Sequence, residues 1–234
     1  MPGALAASLG DPAGVGPELL AAAWVRREDD GLPPFFAVGG AQVIAAAARQ
    51  RGITLPISPI SDPAEAAQAF AHGLPVLGAN DGDYRPGEPD QAGARLALAS
   101  LTRAAQLAAS GDAAGIVTGP IAKARLAEVG FAHPGQTEFV ASFCGVEARD
   151  AVMLLAGPTL MTVPLTVHVA LTDVPGRITH DLITRKARIV DAALRRDFGM
   201  AAPRIAIAAL NPHAGEEGRM GREEIDVIAP AIAA

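Results

Sequence analysis

The fold class is indicated by the first part of the chain, residues 5–25, which read LAASLGDPAGVGPELLAAAWV. Leu5 to Leu9 predicts a short apolar strand, and Pro17 to Val25 predicts a helix, because proline suits the first helical position. A glycine-rich turn joins the two. The same order follows with a strand at Phe35 to Val38 and a helix at Ala41 to Gln50. This alternation predicts an α/β fold with a largely buried sheet.

The second half of the chain continues the pattern. Apolar spacing predicts long helices over Asp90 to Ala109 and Pro175 to Phe198, and short strands at Gly115 to Val117 and Ile205 to Leu210. Residues 151–171 carry no charged side chain, and their length alone would permit a membrane span. Glycine and proline interrupt this run, so it predicts two buried strands around a turn, with Thr162 to Val169 β-branched. No membrane segment is expected.

Composition narrows the class of partner. Half of the 234 residues are apolar but only 4% are aromatic, so the core is expected to consist mainly of Ala, Val, Leu and Ile. The formal net charge of -6 argues against a nucleic-acid surface or a polybasic membrane patch, since both need clustered Lys and Arg. The single cysteine, Cys144, cannot form an internal disulfide, which fits the cytoplasm. Small molecules or other subunits are the expected partners.

Three loops carry polar groups that could bind a ligand. The loop GDPAGVGPE, residues 10–18, matches neither the dinucleotide fingerprint nor a P-loop. In TGPIAK, Lys123 follows a predicted strand and could bind a carboxylate or phosphate, or simply be solvated. In HPGQTEF, a phosphate could rest against Gln136 and Thr137 at a helix N-terminus, or Thr137 could be an ordinary helix cap.

Two histidines are candidate metal ligands. His168 lies in a predicted apolar strand, and His213 follows another in NPHAGEEG. Histidines in such positions are often core residues, but two imidazoles at strand ends could also converge on one divalent ion. If they do, their nearest nitrogens should lie within about 6 Å of each other, with Thr137 bordering the same cleft.

Six segments together resemble the 4-hydroxythreonine-4-phosphate dehydrogenase family: GDPAGVGPE, TGPIAK, HPGQTEF, MLLAGPTL, TVHVALTDVP and LNPHAGEEGRMGREEIDVIAPAI. The resemblance extends from residue 5 to residue 232. It implies an isocitrate/isopropylmalate dehydrogenase-like α/β fold with two lobes around a cleft, roughly residues 1–130 and 131–234. It also implies a cytoplasmic homodimer that binds NAD without GxGxxG.

The same resemblance assigns candidate site residues. His168 and His213 match two of the family's three metal-ligating histidines, for Zn, Mg or Co. The family's substrate-binding His-Thr pair falls on Gln136 and Thr137, and Gln136 departs from that pattern. The third histidine lies in family sequence beyond the equivalent of Ala234. The chain is therefore expected to be truncated at its C-terminus relative to the family and inactive alone, with hydride-transfer and NAD-binding residues unassigned.

The function implied is NAD-dependent, metal-assisted oxidation of 4-phosphohydroxy-L-threonine, with decarboxylation to 3-amino-2-oxopropyl phosphate, in pyridoxal phosphate biosynthesis. Three alternatives stay open. One is a dehydrogenase of a related sugar acid, D-threonate or D-erythronate 4-phosphate. Another is a metallohydrolase in which His168, His213 and Glu216 hold a zinc-bound water. The third is an inactive dimerising remnant.

Overall fold

A computed structural model describes residues 3–234 of the chain. These residues divide into two compact units, one extending to Cys144 and the other running from Gly145 to Ala234. Within the described range, no helix has both the length and the apolar character needed to cross a membrane. Each unit is described separately below.

The first unit is built on a parallel sheet of five strands, in the order β3-β4-β2-β1-β5. Its register pairs Ala6 of β1 with Phe36 of β2 on one side and with Ile116 of β5 on the other. This confirms the predicted α/β class. The strands are β1 (Leu5–Ser8), β2 (Phe35–Val38), β3 (Ile57–Ile60), β4 (Leu74–Leu77) and β5 (Ile116–Val117).

Helices cover both faces of this sheet, as a parallel sheet requires. Successive strand residues point to opposite faces, so Phe35 packs in one apolar cluster and Phe36 in the other. Phe36 is completely buried. The helices of this unit are α1 (Gly16–Val25), α2 (Ala41–Gln50), α3 (Ala66–Ala69), α4 (Gln91–Ser110), α5 (Lys123–Ala127) and α6 (Gln136–Phe143).

One buried hydroxyl ties α4 to the sheet. Ser100, 3% exposed, donates a hydrogen bond to the Val38 carbonyl oxygen at 2.6 Å and accepts one from the Leu9 amide at 2.9 Å. Both backbone groups lie where β2 and β1 end. The hydroxyl therefore satisfies two groups that the sheet ladder leaves unpaired.

The second unit is mainly helical. A small cluster, which includes Ile178, Ile183, Ile228 and Ala231, forms its core. A helix predicted over Pro175 to Phe198 is interrupted before α8, where Thr179 accepts a hydrogen bond from the Leu182 amide and caps the helix. The regular elements are β6 (Leu155–Ala156), β7 (Met161–Thr162), α7 (Val174–Arg177), α8 (His180–Arg196) and α9 (Ala229–Ala233), with a π-helical turn at Glu224–Ile228 before α9.

The strand predictions in this unit are only partly right. Leu155–Ala156 and Met161–Thr162 pair antiparallel around the predicted turn, but both strands are exposed instead of buried, and Thr162 is the one residue of the run Thr162 to Val169 that joins this ladder. The predicted strand Ile205 to Leu210 pairs with no other described segment, and Ile205 is 39% exposed. A strand is stable only when its backbone groups pair with a neighbour, and apolar composition alone does not provide one.

Candidate functional site

The loops after β1 and β5 pack against each other at the carboxyl end of the sheet. The chain leaves β1 toward β2 on one side and returns through β5 on the other, and open α/β sheets bind ligands at such a switch point. The Asp11 amide donates to the Pro120 carbonyl oxygen at 2.8 Å, and the Gly119 amide donates to the Ser8 hydroxyl at 3.0 Å. The motifs GDPAGVGPE and TGPIAK therefore form one surface.

Glycine is required in this contact. Gly10 has a φ of +74°, and a Cβ on it would lie 2.7 Å from the Pro120 carbonyl oxygen. Residues with a side chain are strained in this backbone conformation, and here they would also clash. The glycine pattern thus serves a close approach between two loops.

Gln136 connects α6 to this surface. Its Nε2 donates to the Gly119 carbonyl oxygen at 3.2 Å, while its Oε1 is buried and has no hydrogen-bond partner among the described residues. Thr137 is exposed in the first turn, and the N-cap position is Gly135, without a side-chain cap. Thr137 therefore does not cap this helix, and its exposed side chain lies in a first turn whose backbone amides no side chain caps.

The two acidic residues of GDPAGVGPE have structural partners. Asp11 is 9% exposed, and its Oδ1 accepts the Ala13 amide at 2.9 Å. Glu18 accepts the Tyr84 hydroxyl at 2.7 Å and pairs with Arg51 at 2.9 Å. Burial, reinforced by the Glu18 carboxylate, raises the pKa of Tyr84 to about 12. Both carboxylates hold the loop and its helix in place.

The glycine turn before α2 is already filled by a carboxylate. Asp81 accepts the Gln42 amide at 2.7 Å and the Val43 amide at 3.3 Å. Free amides at a helix N-terminus attract anions, and Asp81 supplies that charge from within the chain. Lys123, at the start of α5, is exposed.

The predicted metal ligands lie in the second unit. His168 and His213 are both exposed, and neither lies in a strand. The Nδ1 of His213 is 3.1 Å from Oε1 of Glu216, which leaves Nε2 as the nitrogen available to a ligand. A carboxylate in this position is the usual partner of a metal-binding imidazole, because it fixes the ring orientation.

Backbone strain is found at His168 and in the residues that directly follow His213. Within residues 3–234, the non-glycine residues with positive φ are all in the second unit: His168 at 57°, Ala214 at 49°, Glu216 at 43° and Glu217 at 56°. The left-handed conformation costs a side-chain-bearing residue roughly 1–2 kcal/mol. Such residues cluster at functional sites, and here one is a predicted ligand while the others directly follow the second.

The side chains around His168 and His213 meet only some of the requirements of a metal site. Imidazoles are preferred ligands of Zn²⁺, and His213 has a carboxylate partner. No three His, Cys, Asp or Glu side chains in the described part of the chain are arranged to hold an ion. That His168 and His213 share one ion stays a prediction. Gln136 and Thr137 belong to the first unit.

Asp81 and Glu224 were not singled out from the sequence. The Glu224 Oε1 accepts the Leu210 amide at 2.9 Å, and its Oε2 is buried without a partner. Asp81 caps a helix 39 residues away in the chain. The sequence around an acidic residue in a loop or an amphipathic helix does not indicate that its carboxylate binds a backbone amide so far away in the chain.

Comparison with known proteins identifies close relatives. The family model for pyridoxal phosphate biosynthetic protein PdxA matches residues 32–234. A 4-hydroxythreonine-4-phosphate dehydrogenase of Erythrobacter litoralis is 55% identical over 98% of this chain and 68% of its own length. The same-named protein of Zymomonas mobilis is 49% identical over 97% of this chain and 67% of its own length.

A solved structure agrees with these matches. The crystal structure of 4-hydroxythreonine-4-phosphate dehydrogenase from Klebsiella pneumoniae superposes with a TM-score of 0.85 at 33% identity, covering 99% of this chain and 71% of that one. The chain thus spans about two thirds of the length of the curated relatives it matches. The residues matched, the identity and the fold agree, and the chain belongs to the family of pyridoxal phosphate biosynthetic protein PdxA.

Proposed function

We propose that this chain contributes two of the metal ligands and the phosphate contact to the NAD-dependent oxidation of 4-phosphohydroxy-L-threonine, with decarboxylation to 3-amino-2-oxopropyl phosphate, in pyridoxal phosphate biosynthesis. The observation that carries the proposal is the 55% identity, over 98% of the chain, to a 4-hydroxythreonine-4-phosphate dehydrogenase. Enzymes of this family use NAD and a divalent metal ion. A cytoplasmic homodimer is proposed on family resemblance alone.

His168 and His213 are the proposed metal ligands on this chain. The strained backbone at His168 and directly after His213, together with the Glu216 carboxylate beside His213, supports the assignment. In the family, a third histidine from beyond the equivalent of Ala234 completes the set. A divalent ion bound there supplies Lewis acidity toward the substrate hydroxyl.

Thr137 is the proposed contact for the substrate phosphate. Its exposed side chain lies in the first turn of α6, where no side chain caps the backbone amides. The Nε2 of Gln136 is already bound to Gly119, so Gln136 supports the loop while Thr137 faces the ligand. Holding the phosphate fixes the distant reacting carbon in place.

Gln136 also motivates a second candidate substrate. The family has histidine at this position, and the amide here is fixed on the Gly119 carbonyl oxygen. A phosphorylated sugar acid, D-threonate or D-erythronate 4-phosphate, would offer the same phosphate and hydroxyl groups. The ratio of kcat/KM for the two substrate classes decides between them.

NADH formation tests the proposal. We expect residues 1–234 alone to show no turnover with 4-phosphohydroxy-L-threonine, and a version extended to the length of the relatives to turn over only with added divalent metal. In that version Thr137→Ala should raise KM about tenfold, the equivalent of about 1.4 kcal/mol of lost binding. Turnover by the short chain contradicts the proposed inactivity, and metal-independent turnover contradicts the metal assignment.

A further inference from the structure

The Glu224 carboxylate spans both ends of the short segment that bears His213. At the first end, its Oε1 accepts the Leu210 amide at 2.9 Å. At the other end, its Oε2 lies 2.9 Å from the position that a Cβ on Gly215 would occupy. The residues between Leu210 and Gly215 are Asn211, Pro212, His213 and Ala214. One side chain therefore binds the backbone at the start of this segment and fills the space beside Gly215 at its end.

The segment needs such support because the backbone that follows His213 is strained. From Ala214 to Gly218 every residue has a positive φ, between 43° and 91°. A left-handed run of this length persists only when its surroundings over-determine it. Gly215 is buried, and a side chain on it would meet both the Gly221 carbonyl oxygen and the Glu224 carboxylate.

The left-handed run in turn places Glu216 against His213. The Glu216 amide donates to the His213 carbonyl oxygen at 3.0 Å, and the Glu216 carboxylate lies 3.1 Å from the His213 Nδ1. Both side chains are about half exposed, so this pair alone would be a weak restraint. Its geometry depends on the backbone beneath it, which Glu224 contacts.

We propose that Glu224 is a positioning residue for His213. By binding the Leu210 amide and packing beside Gly215, it keeps the His213 Nδ1 at Glu216 and presents Nε2 outward. The metal-binding part of this inference rests on the proposed function, whereas the ring orientation does not.

A neighbouring carboxylate provides a matched control. Asp226, two residues further along, pairs with Arg222 on the exposed surface at 2.8 Å, and within the described residues its side chain forms no hydrogen bond with Leu210 or Gly215. Asp226→Ala removes the same charge from the same turn. Glu224→Gln keeps an oxygen acceptor for the Leu210 amide, whereas Glu224→Ala removes it.

The test measures Co²⁺ affinity of the full chain from its visible absorption, together with the ¹⁵N shifts of the His213 ring without metal. Glu224→Ala is expected to weaken Co²⁺ binding by about tenfold or more and to mix the two ring tautomers. Glu224→Gln and Asp226→Ala should match the parent in both measurements. Thermal unfolding of all variants identifies any loss of folding.

The outcomes separate the two proposals. Parent-like affinity and ring shifts in Glu224→Ala overturn the positioning role, as does Glu224→Gln behaving like Glu224→Ala. A parent protein that binds no Co²⁺ contradicts the metal assignment under the proposed function. In that case a change of the His213 tautomers in Glu224→Ala still supports the positioning role, and unchanged tautomers overturn it.

Discussion

The two units differ in the burial and strand pairing of segments that are similarly apolar. In the first unit the strand Phe35–Val38 is hydrogen-bonded on both sides and Phe36 is completely buried. In the second unit Ile205 is 39% exposed and Leu171 is 85% exposed. Hydropathy along the sequence does not distinguish these regions. The difference is that the first unit provides neighbouring strands as well as covering helices. In the described part of the second unit, Ile207 and Leu210 pack against the small helical core, but no strand pairs with their segment.

The consequence is an uneven distribution of stability. Hydrophobic burial is proportional to the apolar area removed from water, so buried strands stabilise and exposed ones contribute little. Local opening is expected where few apolar contacts hold the backbone. The proposed metal histidines lie in the less buried unit, where the strained backbone is also found.

The largest expected difference comes from matched leucine truncations. Leu101 is completely buried in α4, so Leu101→Ala should lower the free energy of unfolding of the first unit by about 2–5 kcal/mol. Leu171→Ala should change stability by less than about 0.5 kcal/mol. Urea titrations followed by fluorescence of Trp24, the single tryptophan, and by circular dichroism measure both. Equal losses of unfolding free energy in the two variants would contradict the proposed difference in burial between the two units.

A smaller effect is expected at the Ser100 hydroxyl. Ser100→Ala leaves the buried Leu9 amide and the Val38 carbonyl oxygen without this partner, which should cost about 2 kcal/mol. Ser110 at the end of the same helix is exposed, and Ser110→Ala should cost less than about 0.5 kcal/mol. The same Trp24 titration compares them. Indistinguishable midpoints would mean that the hydroxyl does not anchor α4.

The smallest effect concerns an irregular segment of the first unit. Tyr84 is the single tyrosine, so phenolate absorbance reports its pKa directly, expected near 12 in the folded protein. Since folding favours the neutral phenol, its contribution to stability is complete below about pH 10 and is lost as the pH rises toward 12. Glu18→Gln should lower this pKa. A Tyr84 pKa near 10 in the parent protein would show that the Tyr84 hydroxyl is not bound to Glu18 in solution.

The regular part of the first unit could be predicted because its signals are local. Leu5–Ser8, Phe35–Val38 and Gln91–Ser110 all form close to their predicted positions. The absence of strands over residues 163–169 and over Ile205 to Leu210 could not be predicted, because strand formation depends on neighbours that the pattern itself does not specify. A helix break at Thr179 had a local signal, its capping hydroxyl.

In the candidate site, too, some residues could be predicted from the sequence and others could not. Motif resemblance selected Gln136, and the structure places its amide against Gly119 as part of the loop surface. The contact of Glu224 with Leu210 and that of Asp81 with α2 join residues 14 and 39 positions apart. Neither can be read from periodicity, since both depend on loop geometry. The strain at His168 is likewise visible only in the backbone dihedral.

X-ray absorption of the Zn²⁺-loaded protein tests most directly whether His168 and His213 bind one ion. We expect imidazole nitrogens at about 2.0–2.1 Å in the parent, with one imidazole lost in His168→Ala and one in His213→Ala. His180→Ala, which removes an exposed histidine at the start of α8, should leave the zinc shell unchanged. A shell that contains no imidazole, or that neither His168→Ala nor His213→Ala alters, would contradict the assignment.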